Sequence, residues 1–267
     1  MFGMSDYKGA VFFDSDGTIT DDESRITVPT EETLKSLKKL KENGYLTILC
    51  TGRAKAYAGH VINYFDGAVT SGGNCVEAEG KCIADFPVED EALKKIVDYM
   101  ERHGVHYTLE GRGICYVPDL NGRRFNEWIN TFSINKNAFS DDVKYKNQKI
   151  YKFSVFYDNK EQCIAMRKEF DGIFNIYMHT KGLYGDISRC GFGKGNGVKA
   201  IADYFKIPLE NTFAFGDGEN DISMFDAVGN AIAMGRHAAA LDGHADFITK
   251  TVKDEGITYG LLHYGLI

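Results

Sequence analysis

From residue 10 onward the chain alternates short apolar runs with longer amphipathic stretches. Ala10-Val11-Phe12-Phe13 is a continuous apolar run closed by turn residues, the mark of a buried strand. Pro29 and Thr30 open the next stretch and place Glu31 and Glu32 in a first helical turn, where the helix dipole favours acid. Leu34, Leu37 and Leu40 make its apolar stripe, and Gly44 ends it. Tyr45–Cys50 reads as a second strand, Ala54–Tyr64 as a helix and Gly67–Thr70 as a third strand. This β-α-β-α-β order predicts a parallel sheet with helices on both faces, a Rossmann-like α/β core.

The same grammar returns near the end. Val198, Ile201, Ala202 and Phe205 form a helical stripe after Lys194. Thr212–Phe215 then reads as a strand, Asp221–Ala227 as a short helix and Ala231–Ala233 as another strand. A last α/β pair runs through Phe247–Ile248 and Ile257–Leu262. Between the two halves the texture changes. Helical patterns near Glu89–Arg102 and Asn159–Phe170 alternate with strand-like runs at Val105–Leu109, Ile114–Val117, Ile150–Tyr157, Ile173–Met178 and Leu183–Ile187. The expected organisation is a core of residues 1–84 and 190–267, interrupted by an α+β domain over 85–189. Hinges are expected at the crossings near 84–88 and 188–193, with Gly191, Gly193 and Gly195 at the second.

Composition narrows the class. A chain of 267 residues with 43% hydrophobic and 26% charged residues is an ordinary globular protein. No apolar run approaches the roughly 18 residues of a membrane span. Met1–Gly9 lacks the charged-then-apolar pattern of a signal peptide, so a cytoplasmic location is expected. The six cysteines are scattered with no C-x-x-C pair, which predicts reduced thiols. His103 and His106 have no third zinc-type ligand nearby, and no zinc site is expected there. A net charge of −7 argues against nucleic-acid binding. That charge is uneven: residues 85–190 hold 16 basic and 16 acidic groups, and the flanks hold 15 and 22. Acid concentrated in the core suits cation handling, although solvated surface acid is the commoner cause of such a bias.

The chemistry gathers at strand ends. In an open parallel sheet ligands bind outside the carboxyl ends of the strands. Asp14 and Asp16 follow the first strand, Thr51-Gly52-Arg53 the second, and Ser71-Gly72-Gly73-Asn74 the third. Asp217, Asn220 and Asp221 follow the strand at Thr212–Phe215. If these strands are neighbours, the groups converge on one crevice. Asp14, Asp16 and Asp217 then offer the hard oxygen ligands that suit Mg²⁺ beside a phosphate.

The set Asp14-x-Asp16-Gly17-Thr18, Thr51-Gly52-Arg53, Lys194 and Gly216-Asp217-x-x-Asn220-Asp221 resembles the four motifs of the haloacid dehalogenase superfamily of phosphatases. The insert between the second and third motifs, with the tail Ala231–Gly235 and Ala245–Thr249, resembles the Cof-type sugar-phosphatase branch and its α+β cap. The resemblance implies Asp14 as nucleophile and Asp16 as general acid/base. It implies Mg²⁺ on the Asp14 carboxylate, the Asp16 carbonyl and the Asp217 carboxylate, with Asp221 close by or through water. Thr51, Gly52 and Lys194 would hold the phosphoryl group, and Asn220 would orient Lys194 or the phosphate. Two details depart from the pattern. Ser15 stands where an apolar residue is commoner, and Arg189–Gly193 lacks the proline often found before the lysine.

The expected activity is hydrolysis of a small phosphorylated metabolite, a sugar phosphate above all. A phosphohexomutase, which resembles the family in core and cap, is the alternative. A non-enzymatic phosphometabolite-binding protein is the third reading, disfavoured by the intact set of Asp14, Asp16, Lys194 and Asp217. In the insert, Trp128, Phe125 and Arg124 share a helical stretch that reads as cap core in preference to facing the crevice, whereas Arg112 and Arg123 read as solvated surface in preference to contacting a second anionic or hydroxylated group. The motifs specify no particular sugar and no oligomeric state.

Overall fold

The computed structural model describes residues 7–179 and 182–267. The expectation drawn from Met1–Gly9 falls mostly outside them. The first segment runs β1 (Gly9–Asp14), α1 (Glu31–Glu42), β2 (Tyr45–Cys50), β3 (Gly67–Thr70), β4 (Cys75–Ala78) and β5 (Lys81–Asp85). The insert holds α2 (Asp90–Arg102), β6 (His106–Glu110), β7 (Cys115–Tyr116), α3 (Arg123–Thr131) and β8 (Phe139–Ser140). It continues with β9 (Lys152–Phe156), α4 (Lys160–Glu169), β10 (Phe174–Met178) and β11 (Tyr184–Arg189). The chain closes with α5 (Lys194–Phe205), β12 (Thr212–Gly216), α6 (Ile222–Phe225), β13 (Asn230–Ala233), β14 (Phe247–Ile248) and α7 (Gly256–His263). No helix of the described residues is long and apolar enough to cross a membrane.

Among the described residues, the first compact unit comprises 7–52, 58–85 and 193–267. Its sheet has the order β14-β13-β12-β1-β2-β3-β4-β5. The strands from β14 to β3 are parallel, and β4 and β5 add an antiparallel edge. Successive residues of β1 face opposite sides, so Ala10 and Phe12 join one core and Val11 and Phe13 the other. Val198, Ile201 and Phe205 of α5 cover the first face. Leu37 and Leu40 of α1 cover the second with Leu261 of α7. Burial on both faces explains the unbroken apolar run that marks β1 in the sequence. The Thr30 hydroxyl caps α1 by accepting from the Thr33 N–H at 3.1 Å.

The topology reverses beside β1. From it the chain steps outward through β2 and β3, and returns later through β12 to β14 on the other side. Phe13 is in register with Phe215, and Asp14 with Cys50. The carboxyl ends of β1, β12 and β2 therefore lie side by side at the switch point, where open α/β sheets bind ligands.

The second unit comprises residues 53–57, 86–179 and 182–192. Its sheet has the order β10-β11-β9-β6-β7-β8. Phe153 and Val155 of β9 pack with Ile96 and Met100 of α2 and Met166 of α4. Phe156 faces the other way, against Phe125 and Trp128 of α3. Trp128 is therefore core, as its aromatic neighbours in the sequence suggest. The insert expected over 85–189 did not include residues 53–57, yet Ala54 and Tyr57 belong to this cluster. Tyr57 stacks on Phe139 and donates its hydroxyl to Glu110 at 2.7 Å. The helix expected at Ala54–Tyr64 is accordingly two 3-10 turns, Lys55–Tyr57 and His60–Tyr64, parted at Gly59 with φ +81°.

Candidate active site

Lys194 is the first residue of α5, and its ammonium is 1% exposed. A buried ammonium needs partners. Here it donates to a carboxylate oxygen of Asp14 and, at 2.5 Å, to Oδ1 of Asp221. Asp14 ends β1 and Asp221 closes the turn after β12, so the switch point brings together three residues distant in sequence. The other oxygen of Asp221 accepts from the N–H groups of Asp217 at 2.9 Å and Gly218 at 3.0 Å. Asp221 thus fixes the turn that carries Asp217 and orients Lys194 at the same time.

Asp217 is held from a second side. The buried Thr18 hydroxyl donates to its Oδ1 at 3.0 Å. Gly17, with φ +97°, lets the backbone pass so close that a Cβ there would lie 2.1 Å from Oδ2 of Asp217. Only glycine meets both demands, which is the physical reason for Gly17 after the two aspartates.

Carboxylate oxygens of Asp14, Asp217 and Asp221 lie within 4.8 Å of one another. Among the described residues this is the one group of three acidic, thiol or imidazole side chains placed to share a metal ion. Three carboxylates and one ammonium carry two net negative charges in a largely desolvated place, which matches a divalent cation. The donors are all hard oxygens, the set preferred by Mg²⁺ and Ca²⁺ over softer metals. Proton affinities follow the same charge balance. Burial, then the Asp221 charge, push the Asp14 carboxyl well above its ordinary range, and Lys194 only partly offsets them. Burial and Asp221 raise Asp217 to about 6. Burial alone would lower Lys194, but Asp14 and Asp221 outweigh it and the ammonium holds its proton. In this cluster it is Asp14 and Asp217, not the lysine, that resist their charge.

The remaining sequence candidates lie at the same sheet edge with different exposures. Asp16 is exposed and its carboxylate stands outside the group of three. Its loop is tied by the N–H groups of Ile19 and Thr20, both donating to the Ser15 carbonyl at 2.9 Å. Thr51 is buried after β2, its N–H bonded to the Val69 carbonyl at 2.8 Å, and Gly52 follows it. Asn220 is exposed. The Lys194 ammonium is oriented by its hydrogen bonds to Asp14 and Asp221. The sequence reading gave Thr18 no role, although it closes the same motif as Asp14.

The chain matches the family described as haloacid dehalogenase-like hydrolase over residues 11–261. It belongs to that family. Among relatives of this hydrolase, YkrA of Bacillus subtilis (strain 168), named as an inferred phosphatase, is 28% identical over 262 residues. That match covers 96% of this chain and 98% of YkrA. A solved hypothetical protein of Geobacillus kaustophilus HTA426 is 26% identical with a TM-score of 0.87, covering 97% of this chain and 100% of its own. The subclass IIB sugar phosphatase BT4131 of the same superfamily has this fold at 24% identity and a TM-score of 0.80, covering 97% and 100%.

The hydrolase also contains a cavity of about 630 Å³ within the second unit, walled by Met100, Val105, Tyr107, Val117, Phe125 and Phe156. None of the residues around Lys194 lines it. The carboxylate–lysine grouping, not this cavity, marks the candidate reaction centre.

Proposed function

We propose that this hydrolase is a Mg²⁺-dependent phosphomonoesterase for a small phosphorylated metabolite, with sugar phosphates as the favoured class. The observation that carries the reading is the buried grouping of Asp14, Asp217 and Asp221 around Lys194. An anionic substrate would be repelled by the carboxylates alone, so the cluster makes chemical sense with a cation and a phosphoryl group in it. The phosphatase names of the relatives support the reaction, and the sugar phosphatase of the same fold supports the substrate class.

In the proposed reaction a carboxylate oxygen of Asp14 attacks phosphorus as the bond to the leaving alcohol breaks. Asp16 gives its proton to the departing oxygen. Its carboxylate then takes a proton from water, whose oxygen attacks the phosphorus of the aspartyl phosphate and frees Asp14 and inorganic phosphate. Lys194 and Thr51, with the Gly52 backbone, hold the phosphoryl oxygens, and Asn220 lies at the rim. Asp14, the Asp16 carbonyl and Asp217 would hold Mg²⁺, with Asp221 behind them. Bound there, the ion supplies positive charge to phosphoryl oxygens, on which loose phosphoryl transfer most depends. The second unit would serve as the cap that selects the substrate.

Phosphate release from 4-nitrophenyl phosphate is expected with Mg²⁺ and not with excess EDTA. EDTA-insensitive turnover would remove the metal from the reading. A panel of phosphorylated sugars, nucleotides and cofactors then identifies the class. Fast isomer interconversion with little free phosphate would make the protein a mutase.

Stability should report the metal independently of turnover. A carboxyl whose folded pKa is raised favours the fold below its ordinary value and loses that contribution as pH climbs to the folded value. For Asp217 that window runs from 3.8 to about 6, a loss of roughly 3 kcal/mol in the metal-free protein. A cation on the ionised carboxylates restores it. The rise in Tm on adding Mg²⁺ should therefore be small at pH 5 and large at pH 8. Equal rises at both pH values would place the ion elsewhere.

A further inference from the structure

Arg236 lies in the loop after β13, outside every motif named above. Its guanidinium forks across two carboxylates of the loop that carries Asp16, touching Asp21 through Nη2 and reaching Glu23 from Nη1 at 2.6 Å. Asp21 is one of the few buried acids outside the reaction centre, its side chain 4% exposed. The arm from 15 to 26 is anchored beside Asp16 by the Thr18 hydroxyl on Asp217 and by Ile19 in the core, and further out it closes on itself. Gly17 N–H bonds the Thr20 carbonyl at 2.7 Å, and Asp21 and Ile26 exchange bonds of 2.7 and 2.8 Å. Those bonds shape the outer half of the arm, and Arg236 ties that half to the loop after β13. Two residues beyond Arg236, the Ala238 N–H donates to the Asp217 carbonyl at 2.7 Å. One short loop, 234–238, therefore grips the backbone of Asp217 and, through Arg236, the arm bearing Asp16.

We propose that Arg236 is a positioning residue: by clamping Asp21 and Glu23 it holds Asp16 in register with Asp14 and Asp217 for proton transfer to the leaving group. A bidentate guanidinium suits this task, because its planar fork fixes direction as well as distance. The inference rests on the phosphatase reading with Asp16 as general acid. It makes a claim that a merely stabilising ion pair would not. Loosening the arm should penalise substrates according to how much their leaving oxygen needs a proton, and should spare those whose oxygen leaves readily.

The test is kcat/KM across aryl phosphates from 4-nitrophenyl to phenyl, a value that reports only steps up to departure of the alcohol. Arg236→Ala should lower kcat/KM for phenyl phosphate by roughly tenfold or more relative to 4-nitrophenyl phosphate. Arg236→Lys, which keeps the charge and one contact, should recover much of that ratio. Asp21→Asn replaces the alanine variant if the latter does not fold. Asp16→Asn is the control and should show the same leaving-group dependence more strongly. If Asp16→Asn shows none, the role given to Asp16 is wrong and the inference falls with it. If Asp16→Asn shows it while the Arg236 and Asp21 variants lose activity equally on all esters, or lose none, the inference alone is overturned.

Discussion

Asp14→Asn is expected to cut phosphate release by on the order of 10⁴-fold or more, because the oxygen proposed to attack is removed while the shape of the site is kept. The informative part is that stability should not fall with it. Asp14 is 6% exposed, and burial together with the Asp221 charge makes its ionised form unfavourable in the metal-free fold. Its carboxyl pKa is raised, so the parent protein gives up stability as pH rises above the ordinary value of 3.8. Asparagine removes that charge, keeps an oxygen for the Lys194 ammonium, and leaves Asp221 to balance it. The metal-free variant should melt at or above the parent's Tm at pH 7, and its gain in Tm from Mg²⁺ should shrink. Thermal melts beside the activity assay decide the matter. Loss of activity with loss of stability would make Asp14 a structural ion-pair partner, and turnover at the parent's rate would end its assignment as nucleophile.

This opposition between charge and stability bears on what the sequence could reveal. β1, β2 and β3 are legible because strands buried on both faces leave unbroken apolar runs, and α1 because its cap, acids and stripe agree with each other. The acidic clusters after β1 and β12 are legible for the opposite reason, being poor choices for a buried strand end unless chemistry requires them. The segment after Gly52 forms 3-10 turns where its pattern predicts a helix, because Ala, Tyr and Val at near-helical spacing look alike whether they face a helix's own core or another unit. Tyr57 packs on Phe139 and Trp128, contacts that no local pattern encodes. The β4–β5 hairpin turns at Glu79 and Gly80, both at positive φ, a signal present in the sequence but faint when glutamate fills the first place. The role of Asp221 as the anchor of Lys194 is a tertiary fact. Asn220 and Asp221 are adjacent in the motif, and only the fold decides that Asp221 is the buried one that meets the ammonium.

Lys194→Met should do more damage to the fold than any change at the aspartates. The methionine fills similar space but leaves Asp14 and Asp221, at 6% and 0% exposure, without their counter-charge. Breaking a buried ion pair from one side costs about 3–5 kcal/mol, since the remaining charge is neither solvated nor paired. The stranded carboxyls can escape by taking up protons, so the loss in Tm should be modest near pH 5 and grow towards pH 8. Mg²⁺ should recover part of it by supplying positive charge to the same oxygens. Adding Asp221→Asn to Lys194→Met removes the stranded charge and should restore stability beyond what the two single changes sum to. Activity should not return with it. Losing the donor proposed to hold the phosphoryl oxygens should cost roughly 10²–10³ in kcat however well the protein folds. A double variant both stable and inactive would separate the two tasks of Lys194, holding the buried carboxylates together and meeting the phosphoryl group. A double variant stable and fully active would reduce the lysine to the first task alone.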